Sequence, residues 1–257
     1  MPKNLAGPSS VWATGQPTPR RQVSDRHVGM SRSDIALTPA IAQWIIRTYT
    51  EPGDLVCDPN PGPGLALVES IRANRHAVAL PPHPRWQSAL DANLDLARLA
   101  GSTGKATLLG GIDDPHAASL PGAVDLVLTG LRPTPAGDPS RLLVNLYEDL
   151  DAVVDWVWPG GHVIITCRPW RRRRHLVDLP GQIHDAASAV GLKPADHCIA
   201  LISPIHDSQV RARQARNRIA DPRTRDIHGT PTAHPTHVDV LVFRAPAAGH
   251  VAQGGGQ

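Results

Sequence analysis

Short apolar runs alternate along this chain with segments of helical spacing, and that alternation constrains the fold more than any other feature. "DLVCD" (54–58), "HAVAL" (76–80), "KATLL" (105–109), "VDLVLT" (124–129), "HVIITC" (162–167), "HCIALI" (197–202) and "HVDVLVF" (237–243) have the length of strands and are apolar almost throughout. Between them lie "TPAIAQWIIRTY" (38–49), "LALVESIRA" (65–73), "PRWQSALDANLDLARLA" (84–100) and "SRLLVNLYEDLDAVVDWV" (140–157), which carry helical periodicity. Strands that are apolar on both sides need helices on both faces, which predicts an α/β, doubly wound and mainly parallel sheet. In such sheets ligands sit beyond the carboxyl ends of the strands, so the loops after each strand carry the chemistry. Local signals agree. Thr38 is a candidate N-cap with Pro39 in the first helical position and Ile41, Ile45 and Ile46 on one face. Trp86, Leu90, Leu94 and Ala97 form a second stripe that stops at Gly101, a C-terminal cap.

At 257 residues with 41% apolar content, one large domain is expected. Residues 1–33, rich in Pro, Ser, Arg and Gly, are expected to be an extended arm with Trp12 as its anchor, followed by the main body over 34–245 and a flexible tail over 246–257. Cys57, Cys167 and Cys198 are far apart and form no C-x-x-C pair, so they are read as buried thiols in a reducing compartment. No apolar run reaches the length of a membrane span, and the first 22 residues lack the apolar core of a secretion signal, so a cytoplasmic location is expected. The net charge of +3 permits a nucleic-acid partner without demanding one.

The loop after the first of these strands is the most informative. "DLVCDPNPGPG" (54–64) ends the strand on Asp58 and places Gly62 and Gly64 just before a helix, where the backbone can approach a ligand and helix N–H groups lie open. The order helix, "PGDLVCDPNPGPG", helix, strand resembles the S-adenosylmethionine-binding motif of DNA methylases that modify exocyclic amino groups. "SVWATGQ" (10–16), "VLTGLRP" (127–133), "PGGHVIITCRPWRR" (159–172), "LVDLPG" (176–181) and "HVDVLVFR" (237–244) extend the resemblance to an actinobacterial group of these methylases over roughly residues 10–245. The resemblance implies a seven-stranded Rossmann-like methyltransferase fold with an antiparallel last strand. It further implies S-adenosylmethionine held by Asp58, Pro59, Gly62 and Gly64, and a DNA partner whose cytosine or adenine base is flipped out for methylation.

The chain departs from that family where the chemistry belongs. Family members end the fourth strand with Ser, Asp or Asn, two prolines and an aromatic residue, which hold the reacting amino group and stack on the base. Here the positions fall on Gly130, Leu131, Arg132 and Pro133, leaving only backbone carbonyls of Gly130 and Leu131 as acceptors. Leu80, Pro81 and Pro82 stand where a carboxylate binds the cofactor ribose, and Gly111 stands where an Asp reaches the adenine, with Asp113 and Asp114 nearby. Ser33 to Leu37 replace the family's H-P-x-K-M segment, Leu65 replaces a small hydroxyl residue, and Pro61 and Pro63 remove two N–H groups from the turn. Three or more lost polar contacts of about 1 kcal/mol each weaken cofactor binding by about a hundredfold, so affinity for S-adenosylmethionine is expected to be weak or lost.

"CRPWRRRRH" (167–175) follows the fifth strand at the ligand edge. There Arg168, Arg171, Arg172, Arg173 and Arg174 are expected to contact phosphates and Trp170 to stack on a base or a guanidinium. A second basic stretch holds Arg211, Arg213, Arg216, Arg218, Arg223 and Arg225. His228, His234 and His237 match no familiar zinc spacing, so no metal site is expected. Two functions compete: a DNA amino-methyltransferase with an eroded site and weak or no activity, and a catalytically silent module that binds nucleic acid or a protein partner.

Overall fold

The computed structural model describes residues 9–24, 26–29, 37–131, 138–172, 175–211, 231 and 233–246. Its central sheet is built from β1 (Val11–Trp12), β2 (Leu55–Asp58), β3 (His76–Ala79), β4 (Ala106–Leu108), β5 (Val124–Gly130), β6 (Val157–Cys167), β9 (Lys193–Leu201) and β12 (His237–Arg244). Hairpins β7 (Trp170–Arg172) with β8 (His175–Val177) and β10 (Ile205–His206) with β11 (Gln209–Val210) stand outside it. The helices are α1 (Pro19–Ser24), α2 (Pro39–Tyr49), α3 (Leu65–Arg72), α4 (Gln87–Leu99), α5 (Pro139–Val153) and α6 (Leu179–Ala189).

The sheet order is β1-β9-β12-β6-β5-β2-β3-β4. Seven of these strands are the apolar runs of the sequence, and β12, the last, runs antiparallel to both β6 and β9. The eighth is an addition: Val11 and Trp12, within the segment expected to be an extended arm, pair in parallel with Ile199 and Ala200 of β9. Trp12 is 1% exposed and packs with α2, which explains how two residues suffice to fasten a strand to the sheet edge.

Successive residues of β5 point to opposite faces, and the core divides accordingly. Val127 joins Leu146, Leu150 and Val153 of α5 and Ile183 of α6 on one face. Leu126 and Leu128 join Ile41, Ile45 and Ile46 of α2 on the other. The starts of the helices follow the sequence signals: the Thr38 hydroxyl accepts the Ile41 N–H at 3.4 Å with Pro39 beginning α2, and Asp138 caps α5 by accepting the Ser140 N–H at 3.3 Å. Gly101 takes the left-handed φ of +83° after α4.

A buried carboxylate ties α3 to the chain that precedes α2. Glu69 of α3, 1% exposed, accepts hydrogen bonds from Gln43 (2.6 Å) and Arg72 (3.0 Å), and is bonded to His27 (2.9 Å) and Arg26 (3.1 Å). Burial works against the charge, but the His27 and Gln43 hydrogen bonds and the Arg26 guanidinium outweigh it and hold the Glu69 pKa below its ordinary 4.5. The Arg72 guanidinium also donates to the Arg26 carbonyl at 2.8 Å, so the Arg26–Gly29 segment is fixed on α3. Among the described residues no helix is long and apolar enough to cross a membrane.

Candidate active site

The turn after β2 begins at Asp58, 4% exposed, whose carboxylate accepts the Asn60 N–H at 3.0 Å and closes the bend. Gly62 and Gly64 then take left-handed φ angles of +51° and +84°, and the Gly64 N–H donates to the Pro61 carbonyl at 2.8 Å. Residues 61 to 64 are all buried. What covers them is protein. A Cβ on Gly64 would collide with Leu90 of α4, so the missing side chain is what lets α4 close on the turn. Asn93, also of α4, donates to the Pro63 carbonyl (2.9 Å) and to the Val28 carbonyl (3.1 Å), and accepts the Val28 N–H (2.6 Å). The amide of one side chain therefore clasps the glycine turn to the segment fixed by Glu69.

Beside this turn, at the carboxyl ends of β2, β3 and β5, lies a cleft of about 260 Å³. Asn60 enters from the β2 turn, His83, Arg85 and Trp86 from the chain after β3, and Thr129, Gly130 and Leu131 from the end of β5. Leu142, Asn145, Leu146 and Asp149 of α5 form the remaining wall. Gly130 and Leu131, the backbone acceptors expected from sequence, thus line the cleft. The Leu131 N–H is committed to the Thr166 carbonyl at 2.8 Å, and its side chain is 5% exposed. Arg132 and Pro133 lie outside the described residues. The cleft's polar groups come from residues that the strand and loop motifs do not single out: Asn60 donates to Asp149 at 3.1 Å, and the Arg85 guanidinium stacks 4.8 Å from the Trp86 ring. Spacing offered a signal for α5, since positions 142, 145, 146 and 149 follow the i, i+3, i+4, i+7 pattern of one helical face.

The residues expected to hold S-adenosylmethionine do not line this cleft. Of the four cofactor residues expected from sequence, Asp58, Pro59, Gly62 and Gly64 are all buried, and the cleft is lined by Asn60 alone from that turn. Its volume falls below the range of about 300–1,000 Å³ usual for small-molecule pockets. The carboxylates near the third strand do not compensate. Asp114 accepts the Gly110 N–H (2.7 Å) and the His116 N–H (2.9 Å) and bonds the His116 ring (2.9 Å), which lowers its pKa to about 2. It is spent on its own turn, and neither it nor Asp113 lines the cleft.

The basic hairpin is linked to α5, the helix that walls the cleft. β7 pairs with β8 through Trp170–Val177, Arg171–Leu176 and Arg172–His175. Trp170 is 8% exposed and belongs to the main core cluster, so its ring anchors the hairpin. Arg168, Arg171 and Arg172 are half-buried, and Arg173 and Arg174 lie outside the described residues. The Arg172 guanidinium lies 3.7 Å from Asp138, the residue that caps α5. Hairpin and cleft therefore share one helix. Of the second basic stretch only Arg211 falls within the described residues, as do His234 and His237 but not His228. Among the described residues no group of three His, Cys, Asp or Glu is placed to hold a metal ion. All three cysteines are buried, and burial, first, raises the pKa of each, which fits inert core thiols.

No protein-family model matches the sequence, and no curated protein matches it. Among solved structures the chain is similar to TrmN from Thermus thermophilus, with a TM-score of 0.53 and 16% identity over 88% of this chain and 53% of that one. The fold is a Rossmann-like methyltransferase fold. The chain spans about half the length of TrmN (53%), so the likeness concerns this domain only. At lower TM-scores it is also similar to a 16S rRNA (adenine(1408)-N(1))-methyltransferase from Catenulisporales acidiphilia (0.45, 19% identity, 82% and 94% of the two chains). A TehB-like SAM-dependent methyltransferase from Corynebacterium glutamicum is similar at a comparable level (0.44, 11% identity, 79% and 85%).

Proposed function

We propose that the chain is a methyltransferase-fold protein related to DNA amino-group methylases, one that binds DNA through the β7–β8 hairpin and has weak or no methyl transfer. The observation that carries this reading is the placement of the hairpin: a buried Trp170 roots it, and Arg172 reaches the cap of the helix that walls the cleft. Arg168, Arg171, Arg172, Arg173 and Arg174 are the proposed phosphate contacts, and Trp170 supports them from the core. The filling of the Gly62–Gly64 turn by Leu90 and Asn93 supports weak or lost cofactor binding, and with it the silent state.

Two measurements test the reading separately. Duplex DNA binding should weaken as salt rises, and Arg171→Ala and Arg172→Ala should each flatten the slope of log K against log salt by about 1. A salt-independent affinity, or slopes identical to the parent, would remove DNA from the proposal. Calorimetric titration with S-adenosylmethionine and S-adenosylhomocysteine should show no binding tighter than millimolar. The polar cleft with its Asn60–Asp149 hydrogen bond favours a second reading, an active amino-methyltransferase. Micromolar cofactor binding together with methyl transfer to duplex DNA that Asp58→Ala abolishes would establish it. Cytoplasmic residence belongs to the same proposal.

A further inference from the structure

A larger cavity, of about 450 Å³, opens on the opposite face of the sheet from α5, between the chain that leaves β1 and helix α2. Its volume lies within the range of about 300–1,000 Å³ typical of small-ligand sites. The chemistry of its lining is specific. Arg47 is the one cation and there is no carboxylate among the lining residues, and Arg47 makes no ion pair with any described residue. Trp44 lines the cavity and is 43% exposed, a large value for an indole. One face of its ring is stacked on Trp12, with centroids 5.9 Å apart and 30° between the planes. Trp12 is itself 1% exposed, and its indole N–H donates to the Ser9 carbonyl at 2.5 Å. The Trp44 ring is therefore backed by the core, and little ordering remains to oppose a ligand that stacks on it. Thr48 adds a hydroxyl to the wall, and Gln43, whose amide donates to Glu69, lines it as well. Arg20 and Arg21 are exposed on α1, a few residues after the lining residue Pro17.

We propose that this cavity binds a nucleotide unit, its base stacked on Trp44 and its phosphate paired with Arg47. An aromatic platform beside a guanidinium is the arrangement by which bases and phosphates are held without sequence readout. The same chemistry is offered by a free mononucleotide and by an unpaired nucleotide of a nucleic acid strand. This site is separate from the cleft and from the hairpin, and it stands whether or not the hairpin binds duplex DNA.

The test uses the full chain with two probes, adenosine 5′-monophosphate followed by calorimetry and a fluorescein-labelled twelve-residue deoxyadenosine oligonucleotide followed by anisotropy. Adenosine monophosphate should bind, and Trp44→Leu should weaken it by about tenfold, the scale of one base–aromatic stack. Arg47→Ala, a change at an exposed side chain, should weaken it comparably. An oligonucleotide that binds tighter than the monophosphate with the same dependence on Trp44 and Arg47 assigns the site to single-stranded nucleic acid. Monophosphate binding without that gain assigns it to a free nucleotide. Equal affinities in the parent and both variants, or binding of neither probe, overturns the proposal. Loss of duplex binding in the Arg171 and Arg172 variants with no effect of Trp44→Leu on either probe would sink this inference and leave the hairpin reading intact.

Discussion

Glu69→Ala should lower the stability of the folded chain by about 3–5 kcal/mol, the cost of leaving buried charges without their partner. His27 has a fully buried side chain and Arg72 is 13% exposed at its side chain, so neither can recover its hydrogen bond from bulk water. Arg26, at 45%, contributes least because solvent screens it. Urea denaturation at pH 7 reads the effect directly, and a loss under about 1 kcal/mol would show that the cluster is not a fixed network. The pH dependence has a definite sign. The folded-state pKa of Glu69 lies below its ordinary 4.5, so the stabilisation is complete above that value and disappears as pH falls through the lowered folded pKa. The parent should therefore lose stability faster on acidification than Glu69→Gln, in which that proton site is absent. Parallel curves for the two proteins would remove Glu69 from the acid response. Because Glu69 fixes Arg26 and His27, its loss should also free Val28 from Asn93 and loosen the clasp over the glycine turn.

The second large effect lies in that turn. Gly64→Ala should destabilise by about 2–5 kcal/mol, combining about 1–2 for a side chain in the left-handed region with about 1–3 for intrusion into a packed core. The added methyl would overlap the tip of the Leu90 side chain, which is fully buried and would have to shift within the core. Gly101 provides the comparison. Its φ of +83° nearly equals the +84° of Gly64, but a Cβ there meets nothing within 4 Å, so Gly101→Ala should cost only the conformational part. Equal losses at the two positions, measured by the same denaturation, would mean that α4 does not press on the turn and that the glycine was free to face a ligand.

Much of the architecture was legible because it depends on composition over whole segments. A strand buried on both faces has to be apolar throughout, so "HAVAL" and "HVIITC" announce themselves, and Thr38 with Pro39 marks a helix start by local chemistry alone. β1 was not legible: two residues carry no period, and only the later position of Ile199 and Ala200 gives Val11 and Trp12 a partner. Trp170 illustrates a different difficulty. Flanked by Pro169 and Arg171, it reads as part of an exposed basic loop, whereas its pairing with Val177 turns it inward. Glu69 reads as the polar position of an amphipathic helix, because nothing in "LALVESIRA" reveals that His27, 42 residues earlier, closes over it. The site divides in the same way. Gly130 and Leu131 are legible as cleft-lining candidates from their place at a strand end, but Asn60, Asn145 and Asp149 come to one cleft only because the turn after β2 and α5, far apart in sequence, flank it.

The sheet ends in strands of two residues at β1 and three at β4. A strand that short offers few open N–H and C=O groups to template an incoming chain. β9, nine residues long, would otherwise present the longest such rim, and the brief pairing of Val11 and Trp12 interrupts it. Among the described residues only Ile199 and Ala200 of β9 are covered in this way, so the leading segment shortens that rim rather than closing it.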